Sequence, residues 1–123
     1  MNAVATGLVI LVAFEHVYFA VLEMYLWTKP KGLKAFNMTP EYAKQTAVLA
    51  ANQGLYNLFL AAGLVWGLVS TNPEFSHCIK VFFLSCVAVA GIFGGATVNK
   101  KIFILQGIPA LIALGAELVG GRS

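Results

Sequence analysis

Four long apolar segments, separated by short polar stretches, dominate the pattern of hydrophobic and polar positions along the chain. They lie at about residues 3–27, 40–69, 73–98 and 102–119. A helix of about 20 mostly apolar residues crosses the hydrocarbon core of a bilayer. The pattern therefore predicts an all-α, polytopic integral membrane protein, with four transmembrane helices in an antiparallel bundle that form one domain over residues 1–123.

The polar stretches carry helix-start and helix-stop signals. Thr39 and Asn72 are residues that cap helix N-termini, and each is followed by proline and then glutamate, as is typical of a first helical turn. Residues 29–32, Lys-Pro-Lys-Gly, predict that the first helix breaks and that a linker follows. Residues 99–101, Asn-Lys-Lys, predict a tight turn between the third and fourth helices.

Composition supports the membrane assignment. The chain has 123 residues, of which 59% are hydrophobic and 11% are charged, whereas soluble domains average about 45–50% and about 25%. Four spans leave no room for a soluble domain with a dinucleotide fold, a phosphate loop or a nucleic-acid surface. We therefore expect the lipid bilayer as partner and no nucleic acid. Cys78 and Cys86 lie about 12 Å apart along one predicted helix, too far for a disulfide.

Basic residues predict the orientation in the membrane. Lysine and arginine accumulate in cytoplasmic loops. Six basic residues fall in the first and third loops and two near the second loop and the C-terminus: Lys29, Lys31, Lys34, Lys44, Lys100 and Lys101 against Lys80 and Arg122. Both termini are therefore expected on the non-cytoplasmic side.

Ionisable residues interrupt the first apolar segment. Glu15, His16 and Glu23 lie within it, and a charged side chain at the centre of a membrane helix costs roughly 2.5–3.5 kcal/mol on insertion scales. His16 and Glu23 fall within about 20° of one line along the helix. The second segment carries its own polar cluster, which consists of Asn52, Gln53, Tyr56 and Asn57. The two sets lie at similar depths if these helices pack antiparallel as neighbours.

Two interpretations of this polar set stay open. In the first, the seven residues form a pocket between the first and second helices that binds a small amphipathic molecule or relays protons, as in a small transporter. Glu23 and His16 are then the principal ionisable groups. In the second, the protein is a non-catalytic accessory subunit, and its polar groups only hold helices together. Glu117, near the end of the fourth segment, is expected at the membrane interface.

Motifs of enzymes are absent from the sequence. It has no Cys-x-x-Cys, no nucleophile elbow and no glycine-rich phosphate loop. The absence of these motifs favours a protein that is not an enzyme. A membrane enzyme acting on lipids or quinones is the third interpretation, after the binding or transport protein and the accessory subunit. No metal and no cofactor are expected. A homo-oligomer is compatible with the composition.

Two stretches, HVYFAVLEMYLWTKPKG and LAANQGLYNLFLAAGLVWG, resemble the domain of unknown function 1304 family of small bacterial membrane proteins. The residues that carry the resemblance are His16, Glu23, Met24, Trp27, Phe36 and the run 52–57. It implies four helices in the bacterial cytoplasmic membrane and brings no assigned activity. Small multidrug resistance exporters are similar only in architecture and in an acidic residue, Glu15, in the first helix. DoxX-like proteins are similar in size and helix count alone.

Overall fold

The computed structural model describes residues 2–120. In chain order the helices are α1 (Ala3–Met24), α2 (Pro30–Ala35), α3 (Pro40–Val69), α4 (Pro73–Thr97), α5 (Lys100–Ile102) and α6 (Ile108–Gly120), with a π-helical stretch, Phe103–Gly107, between the last two. Four helical stretches, α1, α3, α4 and the combined stretch Lys100–Gly120, are long and apolar enough to cross a membrane. The predicted all-α fold with four membrane-spanning helices is confirmed.

The capping signals act as the sequence predicted. Thr39 accepts a hydrogen bond at its hydroxyl from the backbone N–H of Tyr42 (3.2 Å), and Asn72 accepts one at its side-chain oxygen from the N–H of Phe75 (3.0 Å). Each bond satisfies one of the first N–H groups of a helix, which have no partner within the helix itself. The starts of α3 and α4 are therefore fixed by side chains adjacent to the prolines.

The first loop contains a helix that the sequence analysis missed. The first long helix ends at Met24 and not at Trp27, and the expected linker contains the six-residue α2. Pro30 occupies the first turn of α2, where its missing N–H costs no hydrogen bond. A Cβ at Gly32 would overlap the backbone carbonyl of Leu26, so glycine permits this close approach.

Pro109 is accommodated by a wide helical turn. Proline has no N–H and its ring clashes with the preceding turn of a regular α-helix. The stretch Phe103–Gly107 has π-helical geometry, and the N–H of Ile108 bonds to the carbonyl of Phe103, five residues earlier. The helix therefore widens before Pro109 and continues.

Two compact units are distinguished by the contacts within the chain. Of the described residues, 2–14 and 60–120 belong to one unit, here called the terminal unit, and 15–59 belong to the other, here called the central unit. The helices α1 and α3 each contribute residues to both units.

Small residues bring the helices of the terminal unit together. A Cβ at Gly91 on α4 would meet the backbone of Gly107, and a Cβ at Gly95 would lie 2.5 Å from Cβ of Phe103. The paired numbers rise on one helix as they fall on the other, so α4 and the last helical stretch run antiparallel. The buried core beside them consists of Val9, Val12, Ala13, Leu64, Leu84, Val87, Ala88, Ala110 and Ala113.

Replacing Gly91 by alanine is expected to lower the free energy of unfolding by about 1–3 kcal/mol, because the added methyl group meets the backbone of Gly107, which cannot rotate away. Gly115→Ala is the matched control, since nothing lies within 4 Å of a Cβ there. Alanine favours helix by about 1 kcal/mol over glycine, so the control should be neutral or stabilised. Unfolding in mixed micelles with increasing SDS measures both. Equal effects of the two variants would contradict the packing.

Candidate functional site

A hydrogen bond joins the two polar segments of the central unit. The side-chain amide of Asn57, on α3, donates to Oε1 of Glu23, near the end of α1 (2.5 Å). Gly54, one turn before Asn57, allows this approach: a Cβ there would lie 2.5 Å from Cγ of Met24 and 3.2 Å from the carbonyl of Ala20. We call these two hydrogen-bonded residues the Glu23–Asn57 pair.

A second hydrogen bond fixes the register of the same segments. The indole N–H of Trp27, just beyond α1, donates to the hydroxyl of Thr46 (3.0 Å), and that hydroxyl donates to the carbonyl of Tyr42 (2.8 Å). The Trp27 ring also packs on Phe36, with 4.8 Å between centroids. The bond between Trp27 and Thr46 therefore fixes how far Glu23 and Asn57 lie from the ends of α1 and α3 that adjoin the first loop.

Two buried acceptor atoms of the central unit, one of them in this pair, have no donor among the described residues. Oδ1 of Asn57 and Oε1 of Glu15 are buried and accept no hydrogen bond from residues 2–120. Asn57 is only 4% exposed, whereas Glu23 is of intermediate exposure. A buried acceptor without a donor costs about 1–3 kcal/mol. The central unit thus contains two oxygen atoms that can accept hydrogen bonds from N–H or O–H groups. The carboxyl group of Glu23 is partly accessible.

The other predicted site residues are spread over several surfaces. His16 is fully buried, about 10 Å along α1 from Glu23, and its ring packs edge-on against Phe19 (5.5 Å between centroids). Asn52, Gln53 and Tyr56 are exposed. Gln53 lies one turn before Asn57, at the edge of the pair, whereas Asn52 lies about 140° around α3 from Asn57. The structure therefore brings Glu23 and Asn57 together and places Asn52 and Tyr56 elsewhere.

A second polar cluster lies in the terminal unit, and the sequence analysis missed it. Glu117 on α6 accepts at Oε2 from Nδ1 of His77 (2.6 Å), and Nζ of Lys80 lies 3.2 Å from its Oε1. Glu117 is 0% exposed, Lys80 1% and His77 8%. We call these three residues the ionic triad.

A glycine of α3 and a serine of α4 support the ionic triad. A Cβ at Gly67 would lie 2.6 Å from Cγ of Lys80, so the lysine stem fills the space that a larger residue would occupy. Ser76, beside His77, donates from its hydroxyl to the carbonyl of Gly67 (2.6 Å). These contacts hold Lys80 with its apolar stem packed and its ammonium group at the carboxylate.

Glu117 was expected at the membrane interface, and the structure shows that its side chain is fully buried within the protein against two groups of α4. One signal in the sequence pointed to this pairing. His77 and Lys80 are three residues apart and share a helical face, and a lysine on an apolar helix needs an acidic partner. Glu117 is the acidic residue of the last segment.

The two polar sets differ in how completely their charges are compensated. In the ionic triad one carboxylate faces one ammonium group and one imidazole donor. Glu23 accepts a hydrogen bond from a neutral amide, and the oxygen of that amide has no donor among residues 2–120. Within the same residues, no three His, Cys, Asp or Glu side chains are grouped so that they could hold a metal ion. The Glu23–Asn57 pair is the better candidate for a binding site, and the ionic triad is the better candidate for a structural contact.

A shallow depression on α4 has no polar character. It is lined by Phe82, Ser85, Cys86, Val89, Ala90 and Phe93, and Phe82 and Phe93 are more than 60% exposed. An exposed aromatic and aliphatic helix face suits contact with lipid chains. This depression therefore does not serve as the polar pocket that the sequence predicts.

Comparison with known proteins gives one family and one relative. A family profile described as "Protein of unknown function (DUF1304)" matches residues 10–118. The chain is 31% identical over 116 residues to the uncharacterized protein YpaA of Lactococcus lactis subsp. lactis (strain IL1403), and the alignment covers 93% of this chain and 96% of the relative. No solved structure matches the chain.

Proposed function

The chain belongs to the DUF1304 family of proteins of unknown function, and we propose that it binds small amphipathic molecules at the Glu23–Asn57 pair. The ligand carries an N–H or O–H donor at its polar end. Glu23 is its principal acceptor, Asn57 holds the carboxyl group in place, and Gln53 lines the edge of the site. Localisation in the bacterial cytoplasmic membrane, with both termini outside, is part of the proposal.

The proposal rests on one observation: the Glu23 carboxyl group and the Asn57 side-chain oxygen, both hydrogen-bond acceptors, have too few donors. Asn57 donates a hydrogen bond from its side-chain amide to Glu23, and its side-chain oxygen is buried without a donor among the described residues. A contact that served only to join helices would be satisfied by a reciprocal pair of amides. Because the donors are lacking, a molecule that supplies them gains free energy here.

Charge defines the chemical class of the ligand further. Glu15 and Glu23 are the acidic residues of the first span, and no lysine or arginine lies between residues 2 and 28. A carboxylate in lipid is stabilised by a cation, and an ammonium group provides both the charge and the N–H donors. A primary amine with an apolar tail fits both requirements. When a protonated carboxyl binds such a cation, its proton leaves, so binding is linked to proton release.

Binding of octylamine tests the proposal. Protein in nanodiscs is titrated calorimetrically, and the heat with empty nanodiscs is subtracted, because the amine also partitions into lipid. Tetraphenylphosphonium is the matched probe, since it is an apolar cation without an N–H group. We expect octylamine to bind and Glu23→Gln to weaken its binding by about 10-fold to 100-fold, the range for a lost hydrogen bond to a charged group. Tetraphenylphosphonium should bind more weakly than octylamine.

Glu41→Gln is the control for this substitution. Glu41 lies in the first turn of α3 and is exposed, so the same chemical change is made outside the site. Octylamine binding should be unchanged in this variant. Equal binding by the wild-type protein and Glu23→Gln, or no binding by the wild-type protein beyond the empty nanodisc, would contradict the proposed function.

A non-catalytic accessory subunit is the second candidate function. One observation favours it: the ionic triad joins two helices with its charges internally compensated, as expected of groups that only hold a fold together. In this case Glu23→Gln leaves every property of the protein unchanged, because an amide preserves the hydrogen bond to Asn57. The binding experiment therefore separates the two candidates.

A further inference from the structure

The outward face of α3 carries a row of exposed polar and apolar residues with coiled-coil spacing. Five exposed residues follow one another at intervals of four, three, four and three: Gln45, Leu49, Asn52, Tyr56 and Phe59. Leu49 is 73% exposed, Tyr56 51% and Phe59 56%. Alternating intervals of four and three place residues on a single line of a helix that packs against another helix. We call these five residues the outer seam.

The outer seam differs from the face of α3 that packs within the central unit. That inner face contains Ala43, Ala50, Gly54 and Asn57, which are buried. Asn52 lies about 140° away from Asn57 around the helix. The side chain of Asn52 is therefore left exposed by the packing of the central unit.

Lipid is an unfavourable environment for the amide group of Asn52 in this seam. The helix α3 has 30 residues and a length of about 45 Å, and Asn52 lies about 4 Å along the axis from its midpoint. The amide group of Asn52 is thus placed within the hydrocarbon, which offers no hydrogen bonds. Leaving a polar group without a partner there costs several kcal/mol in transfer measurements. A protein surface that pairs this amide removes that cost.

We propose that a second copy of this chain covers the outer seam. Two copies inserted in the same direction are related by a two-fold axis along the membrane normal, so each residue meets its own counterpart at the same depth. An asparagine amide has both a donor and an acceptor and can pair with itself. In parallel helical dimers a single core asparagine fixes register and oligomeric state.

The residues around Asn52 suit this self-association. No charged residue occurs from Gln45 to Phe59, so like charges do not oppose each other across the axis. Leu49 and Tyr56 flank Asn52 at one turn on either side and give apolar and aromatic contact area. The seam is on the opposite part of α3 from the inner face, and the dimer therefore leaves the Glu23–Asn57 pair as it is.

Disulfide crosslinking tests the contact in membranes. Leu49→Cys, which keeps Asn52, is made in a background in which Cys78 and Cys86 are replaced by serine, and membranes are oxidised with copper phenanthroline. Val89→Cys is the matched control, since Val89 is 65% exposed on α4 and Leu49 is 73% exposed on α3. We expect dimers for the cysteine at 49 and not for the cysteine at 89. Equal crosslinking of both, or none at 49, would overturn the proposal.

Dimerisation in liposomes measures the contribution of the amide. Energy transfer between labelled copies, followed as the protein is diluted in lipid, gives the dissociation constant of the dimer. Asn52→Leu should weaken the dimer by about threefold to twentyfold, the range for hydrogen bonds between membrane helices. Asn52→Gln keeps an amide and should restore association in large part. A wild-type protein that is monomeric at every dilution would overturn the proposal and would point to a different partner for the seam.

Discussion

Replacing Glu117 by leucine is expected to lower the free energy of unfolding by about 3–5 kcal/mol, because it leaves the ammonium group of Lys80 buried without its counter-charge. The imidazole of His77 loses its acceptor as well. Lys80→Met should destabilise less, because Glu117 retains the bond from His77. Unfolding in mixed micelles with increasing SDS measures both variants.

Combining the two substitutions distinguishes an ion pair from simple packing. With Lys80→Met and Glu117→Leu together, neither charge remains, and the double variant should be more stable than Glu117→Leu alone. Glu41→Leu and Lys44→Met are the controls, since both wild-type residues are exposed; each should leave the unfolding transition unchanged. A double variant whose loss equals the sum of the two single losses would mean that Lys80 and Glu117 do not interact.

Glu23→Leu is expected to destabilise the protein by about 1–3 kcal/mol, while Glu23→Gln leaves its stability unchanged. Leucine leaves the amide N–H groups of Asn57 without an acceptor inside the protein. Glutamine offers a carbonyl oxygen at the position of Oε1, so the hydrogen bond is retained. Thermal unfolding in detergent, followed by circular dichroism, gives the comparison.

A second pair of variants checks that this loss arises at Asn57. Asn57→Leu combined with Glu23→Leu removes both polar groups, and the double variant should regain stability relative to Glu23→Leu. If Glu23→Gln were destabilised as strongly as Glu23→Leu, the carboxyl group itself, and not its hydrogen bond to Asn57, would be needed for folding.

The helices could be predicted from the sequence because hydrophobic length and capping chemistry are local properties. Asn72 accepts from the N–H of Phe75 as its position before Pro73 indicates, and α4 begins at that proline. The short helix α2 was not predictable in the same way. It depends on Gly32 fitting against the backbone of Leu26, a contact between segments that no local pattern describes.

The candidate site could be predicted in part. The sequence placed the polar groups of the first and second spans at similar depths, and the structure joins one residue of each set, Glu23 and Asn57. The rotation of α3 about its own axis was not predictable, and this rotation decides that Asn57 is buried while Asn52 and Tyr56 are exposed. It is set by Gly54, whose missing side chain lets that face approach α1.

The ionic triad was missed for a related reason. Lys80 was counted among the basic residues near a loop, and Glu117 was assigned to the interface, since both lie within about two turns of a helix end. Their pairing requires α4 and α6 to present these faces to each other. Gly67 then provides the space for the lysine stem.

The measurement that tests the central claim most directly is the infrared difference spectrum of the protein on addition of octylamine. Binding of an ammonium group at Glu23 converts a protonated carboxyl to a carboxylate or shifts the carboxylate band. We predict that this change occurs in the wild-type protein and in Glu41→Gln and disappears in Glu23→Gln. A carboxyl change of equal size in Glu23→Gln, or none in the wild-type protein at saturating octylamine, would contradict a binding site at the Glu23–Asn57 pair.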